Sequence, residues 1–234
     1  LDKTLPYGKQ TKKRGGMWYT KTTGIWQTVW IESVSESYIK AIDIKADDKK
    51  ATITVDGVKT GVAIFEDKRI NFDNSVIEYA PDNIELWSPE NPKLYYFTIE
   101  TEQDKIESYL AFRKLQIKEV NNIPRLLLNG KPYFFNGVLD QGYYSDGILT
   151  PASEESYIND ILLMKEAGFN MLRKHIKVES ELFYYHCDRL GMAVFQDMVN
   201  NSNYSFLFDT VLPTFFMQKF PDKILHLNKK SRSN

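Results

Sequence analysis

Apolar and polar residues alternate with the period of a β-strand along the first half of the chain, up to about Ala111. Asp56-Gly57 supplies turn chemistry directly after one of these runs. No helical spacing interrupts the alternation, so this half predicts an all-β sandwich. The clearest runs are TGIWQTVWIESV, YIKAIDIKA, KATITVDG, GVAIFED and KLYYFTIETEQ.

After about Val120 the pattern changes to short apolar strands that alternate with helices. The segment SEESYINDILLMKEAG has helical spacing, with Ser153 as a candidate N-cap and Gly168 at its exit. The second helix, ESELFYYHCDRL, is closed by Gly191. The order strand-helix-strand-helix-strand with short links predicts adjacent parallel strands. The predicted strands are GKPYFFNGV, FNMLRKH and MAVFQDM.

The composition is that of an ordinary globular protein. The chain has 234 residues, a formal net charge of -1 and 42% hydrophobic residues, which excludes a disordered chain and the basic footprint of a nucleic-acid binder. No apolar run is long enough to span a bilayer. The chain starts without a signal-peptide pattern and contains one cysteine, Cys187, so a cytoplasmic setting is expected. From Val199 onward we expect a long loop and then a frayed basic tail.

Polar residues follow all three predicted parallel strands, at the ends where such sheets bind ligands. Exposed strand ends are polar in any case, but three coincident clusters favour a site. The clusters are Asp140, Gln141, Tyr143 and Tyr144; Arg173, Lys174, His175 and Lys177; and Gln196 and Asp197.

Several chemistries are excluded at this rim. The three histidines, His175, His186 and His226, are too scattered for a zinc site, and no glycine-rich phosphate loop or serine elbow occurs. Cys187 lies in the middle of a helix, which is typical of a packed core thiol. We therefore expect neither a metal nor a cofactor.

A neutral, hydroxyl-rich ligand such as a sugar fits the groups that are left. Arg173 and His175 lie two residues apart on a strand and point the same way, while Asp140 and Asp197 can accept bonds from hydroxyls. Two alternatives stay open: Arg173 forms an ion pair at the rim, and the tyrosines belong to the core. The predicted substrate-binding residues are Asp140, Gln141, Tyr143, Arg173, His175, Lys177, Gln196 and Asp197.

The chain resembles glycoside hydrolase family 2 in several separated motifs that follow the family's order. GGMWYTKTTGIWQTVWIESV is similar to the end of its sugar-binding jelly roll. LWSPENPKLYYFTIET and IESYLAFRKLQI resemble the end of its immunoglobulin-like domain, and NGKPYFFNGVLDQGYY begins a stretch similar to the first βα units of its TIM barrel. Asn170, Arg173 and His175, followed by Asp188 and Gly191, fall on the family's barrel signature.

The resemblance implies an internal fragment of a larger, mixed-fold enzyme. Residues 1–37 would end the jelly roll, 38–118 would form the immunoglobulin-like sandwich, and 119–234 would open the TIM (β/α)8 barrel. Within the signature, Arg173 and His175 would belong to the sugar pocket and Asp188 and Gly191 to the structure.

The family hydrolyses β-galactosides, β-glucuronides or β-mannosides with retention, using two carboxylic residues. The Asn-Glu pair that characteristically carries the acid/base is absent here, so no catalytic residue is expected within this chain. The expected function is part of a retaining exo-β-glycosidase that is inactive by itself. The alternative is a non-catalytic carbohydrate-binding or interaction module. The expected partner is a carbohydrate, with no nucleic acid or membrane, and a partial barrel is expected to self-associate.

Overall fold

The computed structural model describes residues 8–12 and 15–199. The loop and tail predicted beyond Val199 lie outside the described residues. Contacts divide the chain into two compact units. We call residues 31–134 the sandwich unit, and residues 8–12, 15–30 and 135–199 the parallel unit. The three-domain division predicted from the sequence stays a prediction.

The described elements are mostly short strands, with two helices near the end. In chain order they are β1 (Gln10–Thr11), β2 (Tyr19–Thr20), β3 (Ala41–Ala46), β4 (Ala51–Asp56), β5 (Gly61–Phe65), β6 (Arg69–Phe72), β7 (Val76–Tyr79), β8 (Tyr95–Glu100), β9 (Lys105–Leu110), β10 (Leu115–Val120), β11 (Ile123–Leu128), β12 (Lys131–Pro132), β13 (Gly137–Asp140), α1 (Glu154–Glu166), β14 (Met171–Lys174), α2 (Glu181–Leu190) and β15 (Ala193–Gln196).

The sandwich unit contains the all-β sandwich that the alternating pattern predicts. Strands β3, β4 and β7 form one antiparallel sheet, and β6, β5, β8 and β9 form another. Alternate residues of both sheets are buried in one core, since Ile53 and Ile77 of the first sheet and Ile99 of the second are fully buried. The rings of Phe65 and Tyr79 stack at 3.6 Å between centroids within it.

The Asp56-Gly57 turn is a position where glycine is required. Gly57 has a φ of +98°, and a Cβ there would overlap the carbonyl oxygen of Tyr38. The chain leaves β4 at this residue, so the predicted turn is confirmed.

One predicted strand, GKPYFFNGV, divides into two. Its beginning is β12, which pairs antiparallel with β11 in a hairpin sheet with β10. Its end enters β13, which pairs parallel with β14. The prediction of one continuous strand is therefore wrong, because the two halves hydrogen-bond to different sheets.

The predicted strand TGIWQTVWIESV is also wrong. Residues 21–38 contain neither strand nor helix, and Ile25 and Ile31 are 83% and 98% exposed. An alternating pattern becomes a strand only where another strand accepts its hydrogen bonds, and the described residues offer none to this stretch.

The parallel unit contains the predicted sheet of parallel strands. β13 pairs with β14 and β14 with β15, both in parallel, with α1 and α2 as the connecting helices. The strands and helices share a core to which Leu172 contributes from the sheet, Tyr157 and Ile161 from α1, and Phe183 and Cys187 from α2. Cys187 is a buried core thiol, and burial raises its pKa well above the ordinary value.

The helix ends agree with the sequence in part. Gly191 takes a left-handed conformation after α2, as expected for a helix exit. Ser153 lies at the predicted N-cap position with extended backbone, but its side chain makes no cap bond. The Ser153 hydroxyl instead contacts the Glu155 carboxyl. The backbone N–H of Glu155 and this hydroxyl together lower the pKa of that carboxyl. None of the described helices is long and apolar enough to cross a membrane.

A pair of isoleucine substitutions tests the sandwich core. Ile99→Ala removes a fully buried side chain and is expected to lower the free energy of unfolding by about 2–5 kcal/mol. Ile117→Ala removes a side chain that is 76% exposed on β10 and should cost less than about 1 kcal/mol. Urea unfolding followed by circular dichroism measures both; equal losses would show that Ile99 is not in a packed core.

Candidate functional site

The two-residue period of the parallel strands separates the predicted site residues onto two faces of the sheet. Val138, Leu172 and Val194 lie in register and pack against the helices. Two residues further on, Asp140, Lys174 and Gln196 form the next row on that helix-facing side. Between these rows, Leu139, Arg173 and Phe195 point to the opposite, open face.

A cluster of buried charges lies on the helix-facing side. Lys174 is fully buried, and its Nζ donates to Asp140 Oδ2 at 2.7 Å and to Glu179 Oε1 at 2.8 Å. The ammonium also lies 4.2 Å from the centre of the Phe183 ring. Charges this deeply buried need ionic partners and hydrogen bonds, and both are present here.

Lys177 joins the same cluster from the loop after β14. It is 4% exposed, and its Nζ donates to Glu179 Oε1 and to the carbonyl oxygen of Leu149, each at 2.7 Å, and to that of Gly142. These three bonds use the three N–H groups of the ammonium. Burial lowers the pKa of Lys177, while Glu179 counteracts this.

Aromatic rings complete the surroundings of Lys177. The Nζ lies 5.2 Å from the ring centre of Trp26, 5.8 Å from Tyr143 and 5.6 Å from Tyr144. Tyr143 in turn stacks on Tyr19 at 3.8 Å. Burial raises the pKa of the Tyr143 hydroxyl to about 12, so it is a neutral donor at physiological pH.

The glutamines of the predicted site differ in their partners. Gln196 is held at both ends of its amide, because its Nε2 donates to the carbonyl oxygen of Lys177 at 2.8 Å and its Oε1 accepts from the Tyr184 hydroxyl at 2.5 Å. The Oε1 of Gln141 is buried and has no hydrogen-bond partner among the described residues.

A cavity of about 400 Å³ lies beside the end of β13. Its wall includes Gln141, Asp140 and Tyr143 of the predicted site, together with Tyr19 and Asp160. Burial and the nearby Asp140 carboxylate raise the pKa of Asp160.

An ionic cluster of three side chains lies on the open face. Arg173 binds Asp197 through two contacts, Nε to Oδ1 at 3.2 Å and a terminal nitrogen to Oδ2 at 2.9 Å. His175 Nδ1 lies 2.8 Å from Asp197 Oδ2. Arg173 and His175 thus point the same way, and Arg173 also makes the ion pair that the sequence left open as an alternative.

The ionisation of Asp197 is set by two opposing influences. Burial alone would raise its pKa, but the hydrogen bonds and charges of Arg173 and His175 outweigh burial and lower it. Asp197 is therefore an ionised acceptor at neutral pH and is unsuited to donate a proton. Its side chain is 26% exposed and Arg173's is 53% exposed, so both can be reached by a ligand.

The two aspartates of the predicted site lie on opposite faces. Asp140 binds Lys174 on the helix-facing side, and Asp197 binds Arg173 on the open face. They therefore cannot act together on one bond. Among the described residues, no three histidine, cysteine or carboxylate side chains are grouped as metal ligands.

Sequence reasoning missed Glu179, which accepts hydrogen bonds from both buried lysines. It also missed that Lys174 is buried, although a signal was present. Lys174 is two residues after Leu172 and so shares its core-facing side of the strand.

The comparisons with known proteins give one consistent family. Residues 31–113 match the model described as Glycosyl hydrolases family 2. A beta-galactosidase of Pectobacterium atrosepticum is 32% identical over 140 residues, a match that covers 57% of this chain and 13% of the relative.

Two solved structures share the fold. A beta-glycosidase from Bacteroides vulgatus matches 76% of this chain and 26% of its own length, with a TM-score of 0.63 and 21% identity. Beta-glucuronidase 3 of Bacteroides uniformis matches 69% of this chain and 23% of its own, with a TM-score of 0.57 and 22% identity.

The proteins that this chain is similar to are glycoside hydrolases. More narrowly, residues 31–113 match glycosyl hydrolase family 2, and the resemblance to this family that was stated from the motifs is confirmed. It spans well under a third of the length of each of these three relatives.

Replacing both basic partners of Asp197 tests what lowers the pKa of its carboxyl group. In Arg173→Gln/His175→Gln, the pKa of Asp197 is expected to rise above the ordinary value of 3.8, because burial becomes the main influence. In the wild type, the stabilising contribution of Asp197 is present above pH 3.8 and is lost as the pH falls through its lowered value. Carboxyl-carbon NMR titration measures the pKa.

The matched control is Asp82, which is exposed and paired with Lys68. Its pKa is lowered mainly by that hydrogen bond, so Lys68→Gln should return it to the ordinary value without exceeding it. An Asp197 pKa that stays low in the double variant would show that Arg173 and His175 do not lower it.

Proposed function

We propose that these residues are part of a retaining exo-β-glycosidase that acts on β-galactoside- or β-glucuronide-like substrates. The family match supports hydrolysis of a glycosidic bond, and the names of the relatives support the type of sugar. The observation that carries the proposal for the site is the cluster of Arg173, His175 and Asp197 at the carboxyl ends of parallel strands.

The parallel unit is proposed to be the opening of a TIM barrel. Three adjacent parallel strands with their helices packed on one face are the arrangement of the first βα units of such a barrel. The open face, with Arg173 and Asp197, would then face the barrel axis and the substrate. The sandwich unit would correspond to the immunoglobulin-like domain, and residues 1–37 to the end of the jelly roll.

In this site Arg173 and Asp197 would bind sugar hydroxyls. The Asp197 carboxylate is held by Arg173 and His175 and can accept hydrogen bonds from the ligand. The bidentate pair holds the guanidinium in plane, which orients its outward N–H groups towards hydroxyl oxygens. The catalytic acid/base and nucleophile are proposed to come from residues outside this chain. No cofactor is proposed.

Variants in the whole protein that contains these residues test the site. Arg173→Met and Asp197→Asn are each expected to lower kcat/KM for aryl β-glycosides roughly ten- to hundred-fold, since hydrogen bonds to charged groups contribute about 1.5–3 kcal/mol. Release of the chromophore from the galactoside, glucuronide and galacturonide measures this. The control, Lys50→Met, removes an exposed ion pair on the sandwich and should change nothing.

Unchanged kcat/KM in both site variants would show that the open face is not part of the substrate site. A whole protein that binds these sugars but releases no chromophore would favour the alternative, a non-catalytic carbohydrate-binding module.

The chain of 234 residues by itself should show no turnover. The two predicted aspartates lie on opposite faces of the sheet, and Asp197 is held ionised, so these two residues do not form the pair of acid and nucleophile that the reaction needs. The measurement is chromophore release from the same glycosides at high protein concentration. Turnover that purifies with the chain and is lost in Asp197→Asn would contradict the proposal.

A further inference from the structure

The Lys177 ammonium is the point where separate segments of the parallel unit meet. It donates to carbonyl oxygens of Gly142 and Leu149, which belong to the segment after β13. We call residues 141–149 the rim loop. Glu179 joins the Lys177 ammonium to Lys174 on β14. A cation–π contact joins the same ammonium to Trp26 in the N-terminal segment.

The backbone of Lys177 is held by the third strand. Its carbonyl oxygen accepts from Gln196 Nε2 at 2.8 Å, and the same nitrogen donates to the carbonyl oxygen of Asp197 at 2.6 Å. The residue that binds the rim loop is therefore also connected, through one glutamine amide, to the backbone of the acidic residue on the open face.

The rim loop approaches this cluster so closely that one position requires glycine. Gly142 has a φ of +61°, and a Cβ there would overlap Glu179 Oε1. Its N–H donates to Asp140 Oδ1 at 2.8 Å. The loop thus packs directly on buried charges, and one of them, the Lys177 ammonium, depends on carbonyl groups of the loop for two of its hydrogen bonds.

We propose that Lys177 is a positioning residue: it fixes the rim loop over the strand ends and thereby shapes the site in which Arg173, His175 and Asp197 bind the substrate. The second half of this inference rests on the proposed function, but the first half does not. Lys177 was predicted to bind the sugar directly. Its burial, with three donors already used within the protein, supports an indirect role instead.

Loss of the ammonium has a local consequence. In Lys177→Met the aliphatic stem keeps its packing, while two carbonyl oxygens of the rim loop lose their donor. Glu179 keeps Lys174 as a partner, so the buried carboxylate stays paired. The rim loop should therefore open more often, while the core of the unit stays closed.

Amide hydrogen exchange of the 234-residue chain tests this. The amides of Tyr144 and Ile148, which donate to each other's carbonyl oxygens within the rim loop, should exchange roughly ten- to hundred-fold faster in Lys177→Met. The amide of Ile161 in α1 should be unchanged. Lys177→Arg keeps the charge and should restore part of the protection.

The matched control is Lys165→Met. Lys165 also donates from its Nζ to two carbonyl oxygens of this unit, those of Leu190 and Gly191, but away from the rim loop. It should leave Tyr144 and Ile148 unchanged. Equal acceleration in Lys165→Met, or none in Lys177→Met, would overturn the proposal. If Lys177→Met does not fold, the proposal can be tested by comparing Lys177→Arg with Lys165→Arg. Only Lys177→Arg should then loosen the rim loop relative to the wild type.

Kinetics of the whole protein test the connection to the substrate site. Lys177→Met should raise KM for aryl β-glycosides more than it lowers kcat, with partial recovery in Lys177→Arg and no change in Lys165→Met. A loosened rim loop with unchanged KM would overturn the connection to the site. If the wild-type whole protein shows no turnover, the proposed function fails and the exchange experiment still decides whether Lys177 fixes the loop.

Discussion

The parallel unit depends on one shared hydrogen-bond acceptor. Glu179 Oε1 receives bonds from two buried ammonium groups, those of Lys174 and Lys177. Without this oxygen, two positive charges would lie close together away from water, which is among the most costly arrangements in a protein interior. With it, residues from β14, the following loop and the rim loop are joined into one hydrogen-bonded cluster.

This cluster and the one around Asp197 use the same residue types for different tasks. Both contain carboxylates paired with cations. Lys174 is fully buried on the helix-facing side, while Arg173 on the open face is half exposed. Burial therefore separates a charge that supports the fold from one that can meet a ligand, although the two residues are neighbours in the chain.

Sequence reasoning identified the architecture where the pattern was local. The parallel sheet followed from three short apolar strands that alternate with two helices, the second of which ends at Gly191. It failed for TGIWQTVWIESV and for GKPYFFNGV, because whether an apolar run becomes a strand, and in which sheet, depends on partners distant in sequence. The proximity of Arg173, His175 and Asp197 was accessible, since strand ends of a parallel sheet meet at one edge. The role of Glu179 was not, because a carboxylate just before a helix is normally solvated, and only the tertiary fold buries it together with the two lysines that precede it in the chain.

The alternation of residues along β14 has a consequence for protein engineering. Leu172 and Lys174 are held by the core and the buried cluster, while Arg173 between them meets the open face. Buried residues that support the fold and an exposed residue that is open to a ligand thus alternate along one strand. A library that randomises Arg173 and His175 while keeping Leu172 and Lys174 would explore new ligand preferences on an unchanged scaffold.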